Sequence, residues 1–170
     1  MSHTDHKHHA AQQVNCMVIT ISDTRTADTD TSGQLMVTLL ERNGHRVLCK
    51  NIVPDEPETI QSQLREGIAS DEIQAILCNG GTGISLRDRS YEAIEQLLDK
   101  RLDGFGELFR MLSYQEIGSA AMMSRSVAGI AGGTIIFSTP GSKNAVRLAM
   151  EQLILPELGH LIWEITKHLT

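Results

Sequence analysis

The sequence predicts an α/β fold, a mostly parallel sheet with helices on both faces. Three observations carry that expectation. Short apolar runs alternate with amphipathic helical segments in β–α–β–α–β–α order through the N-terminal half. A cluster of glycines follows directly on one of these runs, where a buried parallel strand would end. At 170 residues, 41% hydrophobic and 21% charged, the composition is that of a globular chain long enough for one substantial core.

The elements follow in order. Residues 14–21, Val-Asn-Cys-Met-Val-Ile-Thr-Ile, read as the first strand. Asp30-Thr31-Ser32-Gly33 leads into a helix with Met36, Leu39 and Leu40 on its apolar face, and Asn43-Gly44 supplies a left-handed stop. Residues 46–53 form a second strand, which Pro54-Asp55-Glu56-Pro57 punctuates. Pro57 suits the first turn of the next helix, where Ile60, Leu64 and Ile68 recur every four residues. A third strand at 75–78 precedes the glycine loop and a helix carrying Ile94, Leu97 and Leu98. After a Gly104-Phe105-Gly106-Glu107 turn, Phe105, Leu108, Phe109 and Leu112 fit one helical face. Residues 127–137 hold two β-like runs around Ala131-Gly132-Gly133-Thr134, the pattern of a hairpin. Thr139-Pro140-Gly141-Ser142 breaks the chain, and Ser142 can cap a helix that turns Val146, Ala149, Met150, Leu153 and Ile154 inward. After Pro156 a final amphipathic helix carries Leu158, Leu161, Ile162, Ile165 and Leu169.

Residues 1–13 are expected to be a disordered, His-rich tail, and residues 14–170 one domain. His3, His6, His8 and His9 could gather a metal, but no matching ligand cluster follows, and a solvated terminus is the favoured alternative. The net charge of −6 and the scarcity of aromatic residues, one Trp, two Tyr and three Phe, argue against a nucleic-acid partner. No apolar stretch reaches the roughly 20 residues of a membrane span. Met1-Ser2-His3-Thr4-Asp5-His6 has no apolar signal region, so a cytoplasmic location is favoured. Cys16, Cys49 and Cys78 are odd in number and fall in strands, which fits buried thiols rather than a disulfide framework.

The functional signal centres on Asn79-Gly80-Gly81-Thr82-Gly83. Glycines at a strand end let backbone N–H groups turn outward and approach an anion. Asp88 follows between Arg87 and Arg89. A carboxylate beside a phosphate cradle requires a cation between them, and the expected one is Mg²⁺. In a parallel sheet, ligands bind beyond the C-terminal strand ends, where Asp23, Asp55 and this loop should converge.

Eight motifs then occur in order: Ser22-Asp23-Thr24-Arg25, Asp30-Thr31-Ser32-Gly33, Pro54-Asp55-Glu56, Gly80-Gly81-Thr82-Gly83, Arg87-Asp88, Gly104-Phe105-Gly106-Glu107, Ser124-Arg125 and Pro140-Gly141-Ser142. Together, over residues 14–168, they resemble the MoaB/MogA family of molybdenum cofactor biosynthesis proteins, whose fold recurs in gephyrin's pterin-binding G domain. The Pro-Gly-Ser motif is nearest to the MoaB branch. The resemblance implies a three-layer α/β/α sandwich, a homotrimer or a hexamer of paired trimers, and Mg-ATP-dependent adenylylation of molybdopterin with release of pyrophosphate. It implies Asp55 and Asp88 as catalytic groups, with Asp88 at the metal, and Gly80 to Gly83 as the phosphate site. Ser22, Asp23, Arg87, Ser90, Glu107 and Ser142 join them as substrate or nucleotide contacts, Glu107 toward the pterin ring. Arg87, Arg89 or Arg125 would supply fixed positive charge. One departure stands out: many catalytic members follow Arg-Asp with an apolar residue and Thr-Pro, where this chain has Arg89-Ser90-Tyr91. That departure keeps a second implication open, a non-catalytic molybdopterin-binding scaffold of the same pathway.

Each residue also has a plainer role open to it. Asp23 can brace its loop, Asp30 and Ser142 can cap helices, Asp55 can be a turn residue, and Asp88 can stabilise a helix N-terminus. Arg125 can equally make an intersubunit salt bridge.

Overall fold

The computed structural model of the chain describes residues 11–168. Strands β1 (Asn15–Ile21), β2 (Arg46–Val53), β3 (Ala75–Asn79), β4 (Lys100–Arg101), β5 (Val127–Ala131) and β6 (Thr134–Thr139) make a six-stranded sheet in the order β2-β1-β3-β6-β5-β4. The pairs β1–β2, β1–β3 and β3–β6 are parallel, and β5 is antiparallel to both its neighbours. The helices are α1 (Thr31–Arg42), α2 (Pro57–Ile68), α3 (Ser90–Glu95), α4 (Asp103–Ile117), α5 (Lys143–Ala149) and α6 (Leu155–Thr166).

Successive strand residues point to opposite faces, so β1 feeds two cores. Cys16 and Val18 join Met36, Leu40, Phe105, Phe109, Val146, Ile154 and Leu158, beneath α1, α4, α5 and α6. Met17 and Ile19 join Ile60, Leu64, Ile76, Cys78 and Ile94, beneath α2 and α3. The result is the expected three-layer α/β/α sandwich. Each fully buried Leu, Ile or Phe contributes about 2 kcal/mol of apolar transfer. Phe105 meets Phe137 edge-on at 5.3 Å between ring centroids.

The helix signals act as their chemistry requires. Asp30 caps α1, its Oδ1 accepting from the Gly33 N–H at 3.0 Å. Pro57 occupies the first turn of α2. Ser142 caps α5, its hydroxyl oxygen accepting from the Ala145 N–H at 3.2 Å.

Several expectations change. Gly104 to Glu107 lie inside α4 rather than in a turn. A Cβ on Gly106 would stand 2.7 Å from the Ser126 carbonyl oxygen, so this glycine serves close packing of α4 on the sheet. Leu108 is exposed instead of facing inward. The helix after the glycine loop ends at Glu95, leaving Leu97 and Leu98 to pack on the second core from the following loop. Pro156 does not separate two helices: α5 passes through a π-helical segment, Met150–Ile154, directly into α6. The proline sits in the first turn of α6, beyond a widened turn that relaxes its demand on the preceding ladder. His3 to His9 and Leu169 lie outside the described residues. Ala11, assigned to the tail, donates its backbone N–H to the Gly159 carbonyl at 3.1 Å.

β1 has β2 on one side and β3 on the other, so the chain order reverses between β1 and β3. Thr20 pairs with Asn79 and Asn79 with Thr139, which aligns the ends of β1, β3 and β6. Their following loops therefore open on one crevice at the switch point.

Candidate functional site

β3 delivers the chain into two left-handed glycines, Gly80 at φ +104° and Gly81 at φ +63°. A Cβ on Gly80 would lie 2.1 Å from the Ile21 carbonyl oxygen, and one on Gly81 2.5 Å from Asp55 Oδ2. Only glycine fits here. The Gly80 N–H donates to the Thr139 carbonyl at 3.0 Å, and the buried Ser90 hydroxyl donates to the Gly80 carbonyl at 2.9 Å. Among the described residues, the backbone N–H groups of Gly81, Thr82 and Gly83 meet no acceptor. They border a cavity of about 530 Å³. Ser22, Thr24, Arg25, Asp88, Ser113, Ser124, Gly141 and Ser142 add polar lining, while Phe109, Ile117 and Met123 add apolar surface. A polar cradle combined with apolar surface suits an anionic group carried on a flat, greasy body.

Three aspartates surround the loop in different states. Asp88 borders the cavity, and its Oδ2 accepts from the Ser85 N–H at 3.1 Å. The remaining carboxylate lone pairs are available to a cation. Asp23 accepts both Nε and Nη2 of Arg87, at 2.8 and 3.1 Å, and the Asp55 N–H at 3.0 Å. The Arg87 hydrogen bond, then that from Asp55, holds the Asp23 carboxyl below its usual range. Asp55 is buried behind the loop, and its Oδ1 accepts from the Arg89 N–H at 3.2 Å. Burial pushes its carboxyl up, with further upward pressure from Asp88 and Asp23; the Arg89 N–H opposes this without cancelling it.

No group of three or more His, Cys, Asp or Glu side chains converges as a metal cage among the described residues. A single carboxylate at the mouth of a phosphate cradle does fit magnesium, which takes one or two carboxylates and fills its shell with phosphate oxygens and water.

The structure brings Ser22, Asp23, Asp55, Gly80, Gly81, Thr82, Gly83, Arg87, Asp88, Ser90 and Ser142 to one end of the sheet, though not all to the cavity. Asp55 and Ser90 stand behind the loop as braces. Ser22 lines the cavity and closes its own turn, its Oγ accepting from the Arg25 N–H at 3.1 Å. Glu107 stands apart: it is exposed on α4 and borders a separate depression with Arg101 and Arg110. The arginines expected to supply charge also stand away from the cavity wall. Arg87 is held by Asp23, and Arg89 faces the depression on the other side of the loop. Arg125 donates to the Gly83 and Asp88 carbonyls, both at 2.9 Å, and pairs with Glu92. It is a clamp on the loop. The cationic side chain on the cavity wall is Arg25, which sequence reasoning quoted within a motif and assigned no role. Its position after β1, on the same crevice as Asp23, was the available signal.

These features define an α/β protein with a glycine loop of free backbone N–H groups at the switch point of a parallel sheet. The sequence profile described as "Probable molybdopterin binding domain" matches residues 17–160. The chain belongs to this family, and its place is in molybdenum cofactor biosynthesis. It is 52% identical over 166 residues to the molybdenum cofactor biosynthesis protein B of Bacillus cereus, covering 97% of this chain and 98% of that one. A crystal structure of a molybdenum cofactor biosynthesis protein B, 52% identical, superposes with a TM-score of 0.89 over 91% of this chain and 97% of the other. The tungsten cofactor synthesizing protein MoaB of Pyrococcus furiosus, 37% identical, superposes at 0.80 over 94% of this chain and 98% of that chain.

Proposed function

We propose that this chain binds molybdopterin in the glycine-loop cavity and adenylylates it with Mg-ATP, in the cytoplasm, as a homotrimer or a hexamer of paired trimers. The observation that supports the reading is the free N–H row of Gly81 to Gly83, with Asp88 packed beside Gly83, on the wall of a half-apolar cavity. The terminal phosphate of molybdopterin is already an ionised nucleophile, so no strong base is required. One of its oxygens would bond to the α-phosphorus of ATP as the bond to the bridging oxygen breaks, the electron pair leaving with pyrophosphate. The protein's work is to align two polyanions and meet the charge that develops. Gly81, Thr82 and Gly83 donate backbone N–H groups to phosphate oxygens. Asp88 would hold the magnesium ion that accompanies the triphosphate, which would neutralise charge on the departing pyrophosphate. Asp55 would hold the loop's shape through the Arg89 N–H and its packing on Gly81.

Purified protein with molybdopterin, ATP and Mg²⁺ should yield adenylylated pterin by mass spectrometry. Asp88→Ala should lower the rate by roughly 100-fold or more while leaving the circular dichroism spectrum unchanged. Equal rates for the two proteins would remove Asp88 from its role. A second reading, a molybdopterin-binding scaffold without transferase activity, has its own support. The Ser90 hydroxyl is committed to the Gly80 carbonyl and is fully buried, so it cannot meet a ligand, and charged Arg89 replaces an apolar neighbour. Tight pterin binding with no consumption of ATP would favour it.

The oligomer has support on α4, whose outer face exposes Leu108, Met111 and Ile117 beside Met122 of the following turn. Met111→Glu should shift the mass measured by light scattering toward the monomer; an unchanged mass would place the subunit contact elsewhere.

A further inference from the structure

We infer that Arg25 is the phosphate-gripping cation of the cavity, and that it takes a phosphate monoester beside the glycine loop. The inference rests on the cavity being the ligand site, as proposed above. Arg25 follows β1 and reaches across to the loop after β6. Its Nη2 donates to the Gly141 carbonyl at 2.7 Å and its Nη1 to Asn79 Oδ1 at 3.3 Å. Both acceptors are neutral. They fix the plane of the guanidinium without neutralising it.

The nearby carboxylate does not neutralise it either. Asp30 Oδ1 lies 3.7 Å from Arg25 Nη1, but Asp30 Oδ2 is already paired with Lys50 Nζ at 2.8 Å and accepts from the Thr20 hydroxyl at 2.8 Å. Asn79, which steadies Arg25, is itself held by a bond from its Nδ2 to Thr20 Oγ1 at 3.0 Å. Two cations and one carboxylate share this buried net, which leaves one positive charge at the cavity wall. The Arg25 side chain remains 28% exposed. Five guanidinium N–H donors exceed what Gly141 and Asn79 consume, and a planar fork matches phosphate oxygens well. The loop after β1, the glycine loop and the loop after β6 thus place a preorganised cation and a row of free N–H groups around the same space. A tetrahedral dianion satisfies both. A monoanionic carboxylate offers fewer oxygens and less charge to the same donors.

The shared chemistry is a phosphate monoester, and it has two sources, the phosphate of molybdopterin and that of a nucleotide. Isothermal titration of wild type and Arg25→Gln with molybdopterin, dephosphorylated molybdopterin, AMP and adenosine at pH 7.5 separates them. The expected result is a roughly 10- to 100-fold weaker Kd of Arg25→Gln for at least one phosphorylated ligand. Affinity for its dephosphorylated counterpart should change less than about twofold. The ligand that weakens identifies the source. Arg25→Lys, which keeps the charge and loses the fork, should fall between. Equal weakening for phosphorylated and dephosphorylated forms would make Arg25 a mere brace for Gly141 and overturn the inference. So would unchanged binding of every ligand, with the site reading left standing. Wild type that binds none of the four ligands would remove the site reading, and the inference with it.

Discussion

Two buried aspartates brace the same crevice from opposite sides, and they are built differently. Asp30 lies beneath the first loop with Lys50 at 2.8 Å, the Thr20 hydroxyl at 2.8 Å and the Gly33 N–H at 3.0 Å. Burial works to raise its pKa, but these partners outweigh burial, and its carboxyl is held below the usual range. Asp55 lies behind the glycine loop with one backbone N–H on its Oδ1 and two further carboxylates as neighbours, and its carboxyl is pushed up. A carboxylate provided with a counter-ion and two further donors is framework. One denied a counter-ion at the edge of a phosphate cradle is a place where negative charge is already crowded, which sets the terms for any polyanion that enters. On the proposed reading, Arg25, the loop N–H groups and a cation carried by the ligand would answer that crowding.

The largest effect should come from breaking the framework side. Asp30→Asn keeps the cap on Gly33 and the bond from Thr20 but leaves Lys50 unpaired. It should cost about 3 kcal/mol by urea unfolding, the low end for an orphaned buried partner because Lys50 retains some solvent contact. If the pair itself is the cause, Lys50→Met in the Asp30→Asn background should restore much of the loss. A double variant as unstable as the sum of its parts would assign the loss to something other than the pair.

A smaller effect, opposite in sign, should come from Asp55→Asn, and pH exposes it. Asp30 has a depressed folded pKa, so its contribution is full above the unfolded value near about 3.9 and is lost as pH falls through the folded value. Asp55 has a raised folded pKa, so its contribution is present below about 3.9 and is lost as pH rises through the folded value. Asp30→Asn should therefore be most damaging at pH 7 and progressively less so as pH falls below the unfolded value. Asp55→Asn should match wild type at pH 3 and gain on it as pH rises. Unfolding curves for both variants from pH 3 to 7 that run in parallel would refute the contrast.

The division between framework and site was only partly legible in the sequence. Alternating apolar runs, Asp30 before a helical pattern and Pro57 inside a first turn all act locally, so the sheet, the caps and the helix starts could be read directly. β4 could not, because Lys100 and Arg101 are exposed charged residues with no apolar alternation, and only their pairing with Gly129 and Ile130 makes them a strand. Gly106 reads as a turn residue because nothing nearby in sequence reveals the Ser126 carbonyl pressed against it. The site shows the same limit. Asp88 and Gly80 to Gly83 stand together in the chain and were found together. Which arginine serves the cavity depended on which were already neutralised, Arg87 by Asp23 from 64 positions away and Arg125 by Glu92 from 33. Arg25 is singled out by acceptors 54 and 116 positions distant.

The smallest effect should be at the rim, where the Asp23–Arg87 pair lies in solvent. Its geometry is bidentate, yet both side chains are well exposed, 37% and 57%, so water and salt screen most of the attraction. Arg87→Ala should leave the Tm unchanged within the error of calorimetry. What it should change is the environment of Asp55, whose backbone N–H is held by the same Asp23 that Arg87 clamps. Freed of Arg87, Asp23 becomes an uncompensated negative neighbour, so the Asp55 carboxyl should titrate still higher, a displacement that carbon-detected NMR would follow directly. An Asp55 titration identical in Arg87→Ala and wild type would mean that the rim pair is decorative, and that the Lys50 counter-ion of Asp30, without an equivalent at Asp55, is what separates the two carboxyls.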